Sequence, residues 1–460
     1  MSTPPDLLHG PILPTLVRLA IPNVFAMAAA TAVGIGETVY VGLLGKTALA
    51  AMALVFPLVM LMQMFSAGAM GGGVSSAIAR ALGAGQPARA QALALHAVCI
   101  GLAAGLGFTL LLWASGAAIF HALGGRGDVL AVAVEYGLWV FAATPAIWLF
   151  NTLISVARGT GNMRIPSGGI LAVAIVQVIL GAVLGLGLAG VPRLGMPGVA
   201  LGQVIAYYGA AAVLWWYVRR GPSRIRLKLR GIPLQWALFK DILRVGALAC
   251  LSPILTIGTV LVVTSLVAAH GNDALAGYAV GSRLEFLLVP IAFAVGVAAV
   301  PMVGMAMGAG QVARARQVAW AAAGLSAALL GSVGLLFMAA PDLWAAMFSS
   351  DPAVLEQARS YLRWAGPGFG FFGLGLTLYF AAQGAGNVVA PVTASVLRFA
   401  FVLGAGHALA AAGAGLWSLF GLVGAAMVLY GGVTALGVHL TSWGPRAAPV
   451  AANAGLSRTS

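Results

Sequence analysis

A short motif occurs twice in this sequence, as GAGQPARAQ at residues 83–91 and as GAGQVARAR at residues 308–316. The offset between the two copies is 308 − 83 = 225, and GTGN at 159–162 and GAGN at 384–387 have the same offset. Single residues repeat at this offset too, namely Pro166 with Pro391, Tyr136 with Tyr361, and Trp139 with Trp364. An offset this constant predicts a duplicated chain, with two halves that share one fold.

The composition predicts an all-α integral membrane protein. Of the 460 residues, 61% are hydrophobic and only 7% are charged, whereas a soluble chain of this length would carry several times more charge. Apolar runs alternate with short polar breaks, which predicts about twelve transmembrane helices, six in each half. The predicted spans run roughly over 15–41, 48–80, 91–118, 129–157, 167–190, 197–218, 240–268, 274–307, 316–340, 353–381, 392–412 and 416–443.

The repeat also predicts how the two halves are arranged. Because the offset covers an even number of spans, equivalent helices cross the membrane in the same direction. We therefore expect an N-terminal six-helix lobe at 1–218, a basic cytoplasmic linker at 219–238 and a C-terminal six-helix lobe at 239–460. A pseudo-twofold axis along the membrane normal would relate the lobes. Secondary transporters with such parallel repeats bind their substrate between the halves.

The distribution of charge predicts the topology. Lys and Arg concentrate in alternate breaks, most densely in RRGPSRIRLKLR at 219–230. The positive-inside rule places these breaks and both termini in the cytoplasm, for a multi-pass protein of the plasma (inner) membrane. The same rule accounts for the net charge of +14, so we expect the lipid bilayer and no nucleic acid as a partner. The N-terminal segment has no basic region followed by a cleavage site, and so it does not predict a signal peptide.

Several motifs, taken in order, resemble the multidrug and toxic compound extrusion (MATE) family over nearly the whole chain. They are ETVYVGLLGKTALAAMAL at 37–54, GAGQPARA, ARGTGNMRIP at 157–166, GMPGVALGQVIAYYG at 195–209, and GSRLEFLLVPIAFAVG at 281–296 followed by GAGQVARA. The resemblance implies two six-helix lobes that form a V around a central cavity. It also implies that organic cations and other amphipaths are expelled by alternating access, driven by an inward proton or sodium gradient.

Other interpretations fit the sequence less well. The major facilitator fold would have an acidic and basic loop after span two, and GAGQPARA is not that. A lipid-linked or polysaccharide flippase would have a basic cavity, and we take only Arg283 and Arg398 as deep arginines. A membrane enzyme would need a His-rich motif, a GxSxG motif or closely paired acids. We therefore expect a secondary active efflux antiporter for amphipathic, cationic small molecules, with the flippase as the alternative function, and H+ favoured over Na+.

Glu37 is the main candidate for ion coupling. We take it and Glu285 as the acids that lie deep in predicted spans. An ionisable residue inside a membrane span is costly, so we take it as functional unless shown otherwise. A carboxyl that is neutral when sealed from water and ionised when exposed to it can carry a proton. The family resemblance places an Asp at the position of Glu37. In one branch, an Asn and an Asp in span five align with Gln177 and Gly181, and a hydroxyl residue in span six aligns with Gln203.

The remaining site candidates are polar or aromatic residues in predicted spans. We expect Asn151, Gln177 and Gln203 to form one polar cluster with Glu37, because buried polar groups need partners. Glu285 and Arg283 are two residues apart on one helix, do not face each other, and so need other partners. Pro22 has no backbone N–H to donate, so a hinge at this point of span one costs little free energy. The candidates for the substrate cavity are Glu285, Arg283, Asn151, Phe25, Tyr40, Trp148, Tyr207 and Tyr278.

We expect neither a cofactor nor a metal site, and a monomeric protein. The two cysteines, Cys99 and Cys250, both lie in apolar runs and do not form a disulfide framework. The histidines in apolar runs, such as His96 and His407, have no second ligand at metal-binding spacing. The expected partners are therefore amphipathic small molecules, H+ or Na+, and the bilayer.

Overall fold

The structure is a computed structural model that describes residues 6–221, 223–228 and 231–443, and within these ranges it is helical with no strand. Eleven helices of the described ranges are long and apolar enough to cross a membrane, and a bent helix pair makes up to twelve, which confirms the predicted architecture. Positions 222, 229 and 230 of the predicted linker and 444–460 of the predicted C-terminal lobe lie outside the described residues. The spans, numbered in chain order, are Ile12–Leu44, Lys46–Gly83, Pro87–Ala122, Gly127–Ala142 with Thr144–Gly159, Arg164–Leu186, Met196–Arg220, Trp236–Ala268, Asn272–Gly308, Val312–Ala339, Pro352–Ala385, Val389–Ala411 and Leu416–Leu440.

Spans four and ten are broken at equivalent positions of the repeat. Span four bends by 41° at Ala143, where Pro145 begins the next helix. Span ten changes to a 3-10 turn at Gly366–Gly368, which contains a proline. Ala143 and Gly368 are related by the offset of the repeat, since 368 − 143 = 225. Proline lacks a backbone N–H and favours the first turn of a helix, so each half restarts a helix at the same depth.

Two other spans are irregular, whereas span one is not. Span two contains a π-helical segment, Met64–Met70, and span seven changes direction at Cys250 between Trp236–Ala249 and Leu251–Ala268. The predicted hinge residue Pro22 lies inside the uninterrupted helix Ile12–Leu44. A break at Pro22 is therefore absent from this conformation, and its role as a hinge stays a prediction.

The hydrophobic cores show where the two halves meet. One core combines Leu16 and Leu19 of span one with Val300 and Val303 of span eight, and a second extends from the first half to Ile242 of span seven. The three remaining cores each contain residues of one half alone. The lobes are therefore joined at one end of the bundle and separate at the other, as in a V.

We call the joined end the closed end and define it by residues 12–20, 71–83 and 295–308. Spans two and eight cross there with no room for side chains. A Cβ on Gly83 would collide with the carbonyl oxygen of Met305, and a Cβ on Gly308 would collide with that of Arg80. Gly83 and Gly308 are equivalent in the repeat, so the crossing lies on the pseudo-twofold axis. Glycine at such points lets helix backbones approach closely inside a membrane.

Ion pairs connect the lobes at the closed end as well. Arg80 and Arg89 of the first half bind the two carboxylate oxygens of Asp241 in span seven, with N–O distances of 2.8 Å and 3.0 Å. Arg314, at the start of span nine, donates to the backbone carbonyls of Leu7 and Gly10. These contacts link the first residues of each half to the other half.

The glycine crossing yields a test of how the lobes are held together. We expect Gly308→Leu to destabilise the protein by about 1–3 kcal/mol, because overpacking forces the backbones apart. Gly324→Leu is the matched control, since Gly324 lies in span nine and has no atom within 4 Å of its added Cβ. Thermal unfolding of both purified variants would decide the matter, and equal unfolding temperatures would show that the crossing does not hold the lobes.

Candidate functional site

Glu37 lies on span one and is buried, with 7% of its surface exposed. Its Oε2 atom accepts a hydrogen bond from Nε2 of Gln177, 3.0 Å away on span five. Spans one and five pack along their lengths, which brings these two positions face to face. An amide that donates to a carboxylate satisfies part of its hydrogen-bonding capacity and leaves its other oxygen available.

Tyr40 and Gly181 lie one helical turn beyond this pair, on the same two helices. The hydroxyl of Tyr40 is buried and has no hydrogen-bond partner among the described residues. A Cβ on Gly181 would collide with that hydroxyl. The phenol therefore fills the space next to Gly181, where the resemblance to one family branch places a second acid.

Gln203 lies in the same lobe but outside the hydrogen-bonded pair. It is buried on span six, and within the described chain its side chain forms no hydrogen bond with Glu37 or Gln177. Its neighbour Gly202 packs against the backbone of Gly181, so spans five and six touch at this level. The structure brings Gln203 into the region of Glu37 without a direct bond.

Asn151 belongs to a second polar network. Its Nδ2 atom donates to Gln63 Oε1 at 3.0 Å and to Ser66 Oγ at 2.8 Å, and Gln63 Nε2 donates to the Tyr207 hydroxyl at 2.7 Å. This network surrounds the π-helical segment of span two, a type of irregularity that is frequent at functional sites. The single cluster expected from the sequence is therefore two networks, because Asn151 points toward span two rather than span one.

Asn23 and Ser167 form a third polar contact that the sequence analysis missed. The hydroxyl of Ser167 on span five donates to Oδ1 of Asn23 on span one at 3.0 Å, and both side chains are buried. Spans one and five are thus bonded at two levels, by this pair and by Glu37 with Gln177. The sequence did contain a sign of this contact, since Asn23 is a polar residue directly after Pro22 in an apolar run.

In the second lobe, Glu285 and Arg283 have separate surroundings. Glu285 Oε1 is buried with no hydrogen-bond partner in the described chain, and the nearby charge is that of Arg398, which is itself buried. Arg283 lies over the ring of Phe348 at 5.3 Å. The expectation that the two do not pair agrees with this geometry. The side chain of Arg283 is exposed and lies over a ring of the loop after span nine, and its depth in the membrane stays a prediction.

Arg398 is held among aromatic rings. Its guanidinium lies 5.3 Å from the ring centre of Tyr430 and 5.9 Å from that of Phe372. Cation–π contact partly compensates a buried guanidinium. Glu285, Arg398 and these rings form the main charged group inside the second lobe.

Most of the aromatic cavity candidates are packed inside a lobe. Tyr40, Trp148 and Tyr278 are buried in hydrophobic cores, and Trp148 stacks on Phe108. They do not line open space in this conformation, because neighbouring helices cover their rings. Tyr207 is partly buried, and Phe25 is 72% exposed. Phe25 is the candidate whose ring is free to meet a ligand or lipid.

Four charged or polar residues were overlooked in the sequence. Asp241 pairs with the two arginines at the closed end, and Glu135 is an exposed acid within span four. Arg158 and Gln383 are buried, and Nε of Arg158 and both amide atoms of Gln383 have no hydrogen-bond partner among the residues that the structure describes. Arg158 falls in the polar break between predicted spans four and five, where an arginine is expected to be exposed. Nothing in the sequence therefore indicated that it is buried. The described residues contain no group of three or more His, Cys, Asp or Glu side chains that could hold a metal ion.

Comparison with known proteins agrees with this architecture. The MatE family model matches residues 22–185 and 249–406, once in each half of the chain. The chain belongs to the MATE family. It is therefore a multi-pass membrane protein of a transporter family, as the sequence motifs predicted.

Individual MATE relatives differ in what they are described to transport. The chain is 26% identical over 367 residues to an FAD transporter of Shewanella oneidensis, covering 77% of this chain and 78% of that protein. It is 28% identical over 357 residues to a probable multidrug resistance protein NorM of Neisseria meningitidis, covering 76% and 77%. A solved structure, described as the outward-facing conformation of a multidrug resistance MATE family transporter, superposes with a TM-score of 0.85 at 22% identity, covering 95% of this chain and 98% of that one.

The contact between Tyr40 and Gly181 yields a double-mutant test. We expect Gly181→Ala to destabilise the protein by about 1–3 kcal/mol, because the added methyl group meets the buried hydroxyl. Tyr40→Phe in the same chain should recover most of this loss, since it removes the colliding atom. Gly168→Ala on the same span is the control, because its added Cβ meets nothing within 4 Å. Unfolding temperatures that show no recovery in the double variant would contradict the contact.

Proposed function

We propose that this MATE protein is a secondary active antiporter that expels amphipathic, cationic small molecules by alternating access, in exchange for protons. The observation that carries the proposal is Glu37, a buried carboxyl on span one with an amide partner on span five. Its lobe borders the space between the two diverging halves. A carboxyl in this position can bind either a proton or the positive charge of a substrate, and this competition is the basis of exchange.

The proposed topology places the closed end toward the cytoplasm. The positive-inside rule assigns both termini and the linker between the lobes to that side, and Arg80, Arg89 and Arg314 lie at the closed end. In this orientation the V opens to the outside of the inner membrane. The two lobes then act as domains 1–218 and 239–460, connected by 219–238.

In the proposed cycle, substrate from the cytoplasm binds while Glu37 is ionised. Protonation from outside neutralises the carboxyl, so the substrate loses its charged partner and leaves outward. Span one then rearranges near Pro22 and the lobes return. A ligand shifts such an equilibrium only by its differential affinity for the two arrangements, and a proton on a buried carboxyl supplies that difference.

Proton coupling is favoured over sodium by the surroundings of Glu37. Na+ sites assemble several oxygen ligands, and the described neighbours of Glu37 offer an N–H donor from Gln177 and the Tyr40 hydroxyl beyond it. Gly181 carries no second carboxylate. A single carboxyl is sufficient for a proton.

The role of Glu37 is tested by Glu37→Gln. We expect a folded, membrane-inserted variant whose gradient-driven efflux falls to the level of empty vesicles, because an amide cannot take up or release the proton. Glu135→Gln is the matched control, since Glu135 is also an acid within a span but is exposed. Efflux of a fluorescent organic cation from proteoliposomes is the measurement. Undiminished efflux in the Glu37 variant would refute the coupling role.

The coupling ion is tested with the wild-type protein in the same vesicles. We expect an inward proton gradient without sodium to drive efflux, and a sodium gradient without a pH difference, in the presence of a protonophore, to drive none. The expectation follows from the single carboxyl in the site. Sustained efflux under the sodium gradient alone would show that the proton assignment is wrong.

Flavin export is the second candidate function, because the chain resembles the Shewanella FAD transporter over most of its length. The flippase alternative would likewise require an anionic substrate. FAD carries phosphates, and Arg398 is a cation of the second lobe whose guanidinium is covered by aromatic rings in this conformation. Proteoliposomes that export FAD but not organic cations would favour this candidate over multidrug efflux.

A further inference from the structure

Basic side chains are concentrated where span six ends and the linker to the second lobe begins. Arg219 and Arg220 are exposed in the last turn of span six, and Arg226 and Lys228 are exposed in the linker. We call these four residues the basic surface. Among the described residues, none of the four forms a salt bridge. The surface therefore carries four positive charges that no described carboxylate neutralises.

The linker is fixed against the first lobe, and this determines where its basic side chains point. Ile225 and Leu227 are buried in a core of that lobe, and they alternate with the exposed basic residues as in any extended segment. The backbone N–H of Leu227 donates to the carbonyl oxygen of Val218 at 3.1 Å, and the guanidinium of Arg224 donates to that of Thr160 at 3.3 Å. The linker thus folds back along the end of span six, with its cations on the side away from the core.

Exposed tryptophans indicate the depth of the basic surface in the bilayer. Trp216 on span six is 60% exposed, and Trp236 at the start of span seven is 72% exposed. Tryptophan is enriched at the boundary between membrane and water. Arg219 and Arg220 follow Trp216 by three and four residues, so they lie on the same face of the helix, one turn of about 5.4 Å further along. This is the level of the lipid headgroups.

The protein supplies little negative charge on this side of the membrane. It has ten Asp and Glu residues, and all ten lie within the described ranges. In the proposed topology, Asp6 and Asp241 are the acids on the cytoplasmic side. Asp6 already contacts His9, and Asp241 already binds Arg80 and Arg89. The counter-charge for the basic surface therefore comes from outside the protein.

We propose that the basic surface binds the headgroups of anionic phospholipids in the cytoplasmic leaflet, and that the bilayer thereby holds the linker between the lobes. A lipid phosphate accepts charge-assisted hydrogen bonds from guanidinium and ammonium groups. The acyl chains of the same lipid lie along Val213 and Trp216, which are exposed on the face of span six that leads to Arg219 and Arg220. Free phosphate and soluble acidic proteins have no such chains, so a phospholipid fits both halves of this surface.

Thermal unfolding of the purified full-length protein in a nonionic detergent tests the proposal. We expect phosphatidylglycerol to raise the unfolding temperature in a saturable manner, and phosphatidylcholine with the same acyl chains to raise it less. Near an anionic lipid surface each Lys or Arg contributes about fivefold in affinity. Removing two cations should therefore raise the half-saturating concentration of phosphatidylglycerol roughly 25-fold. The two variants are Arg219→Gln with Arg220→Gln, and Arg226→Gln with Lys228→Gln.

The matched control is Lys46→Gln with Arg193→Gln. It also removes two exposed cations, but these lie in breaks that the proposed topology assigns to the outer side. We expect the control to keep the affinity of the wild type. Glycerol 3-phosphate, which has a phosphate but no acyl chains, should not replace the lipid. Wild-type affinity in either basic variant, an equal loss in the control, or full stabilisation by glycerol 3-phosphate would overturn the proposal.

Photo-cross-linking of the wild-type protein locates the lipid directly and does not require a folded variant. Phosphatidylglycerol with a photoreactive headgroup is added to the protein in the same detergent, and the labelled peptides are identified by mass spectrometry. We expect labelling within residues 216–236, and labelling confined to other parts of the chain would contradict the proposed site. The proposal uses the topology given above but neither the substrate nor the coupling ion. Neither readout involves transport, so a failure of the proposed antiport would leave both unchanged.

Discussion

Spans two and eight cross at Gly83 and Gly308 with their backbones in contact, and the remainder of the architecture depends on this crossing. Helices in a bilayer gain little from burying apolar side chains, so close backbone packing and polar contacts must hold them together. Here both are concentrated at one end, where Asp241 joins two arginines of the other lobe. The opposite end has separate cores and is free to diverge. A duplicated chain thereby forms a V with the space between its lobes open on one side.

The environment of Glu37 is shaped by a close contact between spans one and five. Gly181 leaves room that the hydroxyl of Tyr40 occupies, and an acid at Gly181 would collide with that hydroxyl. The aromatic residue and the glycine are therefore a matched pair across spans one and five. The lobe keeps one carboxyl, Glu37, with an amide partner in Gln177. This pairing gives a physical reason why the site contains a single acid.

The repeat and the hydropathy pattern predicted the fold well, because both depend on the membrane and on the duplication rather than on side-chain detail. The spans lie where apolar runs predicted them, and Gln177 does meet Glu37. The sequence could not show that Asn151 donates to Gln63 and Ser66, since the hydropathy pattern does not reveal the π-helical segment that contains Ser66. It also could not show that Arg158 is buried, because a short polar break between spans looks exposed until the opposite lobe covers it.

The distance between Glu37 and the closed end constrains any mechanism of coupling. Span one contributes Leu16, Leu19 and Ala20 to the shared core, and Glu37 lies much further along the same helix. At about 1.5 Å of rise per residue, Ala20 and Glu37 are separated by roughly 25 Å, so the carboxyl cannot act on the lobe contacts directly. Within the described part of the chain, two hydrogen bonds tie span one to span five, Asn23 with Ser167 toward the closed end and Glu37 with Gln177 toward the open end. A change of charge at Glu37 alters only the second bond. In the proposed cycle, the signal must therefore pass as a movement of span one relative to span five, with the first bond close to Pro22 as its pivot.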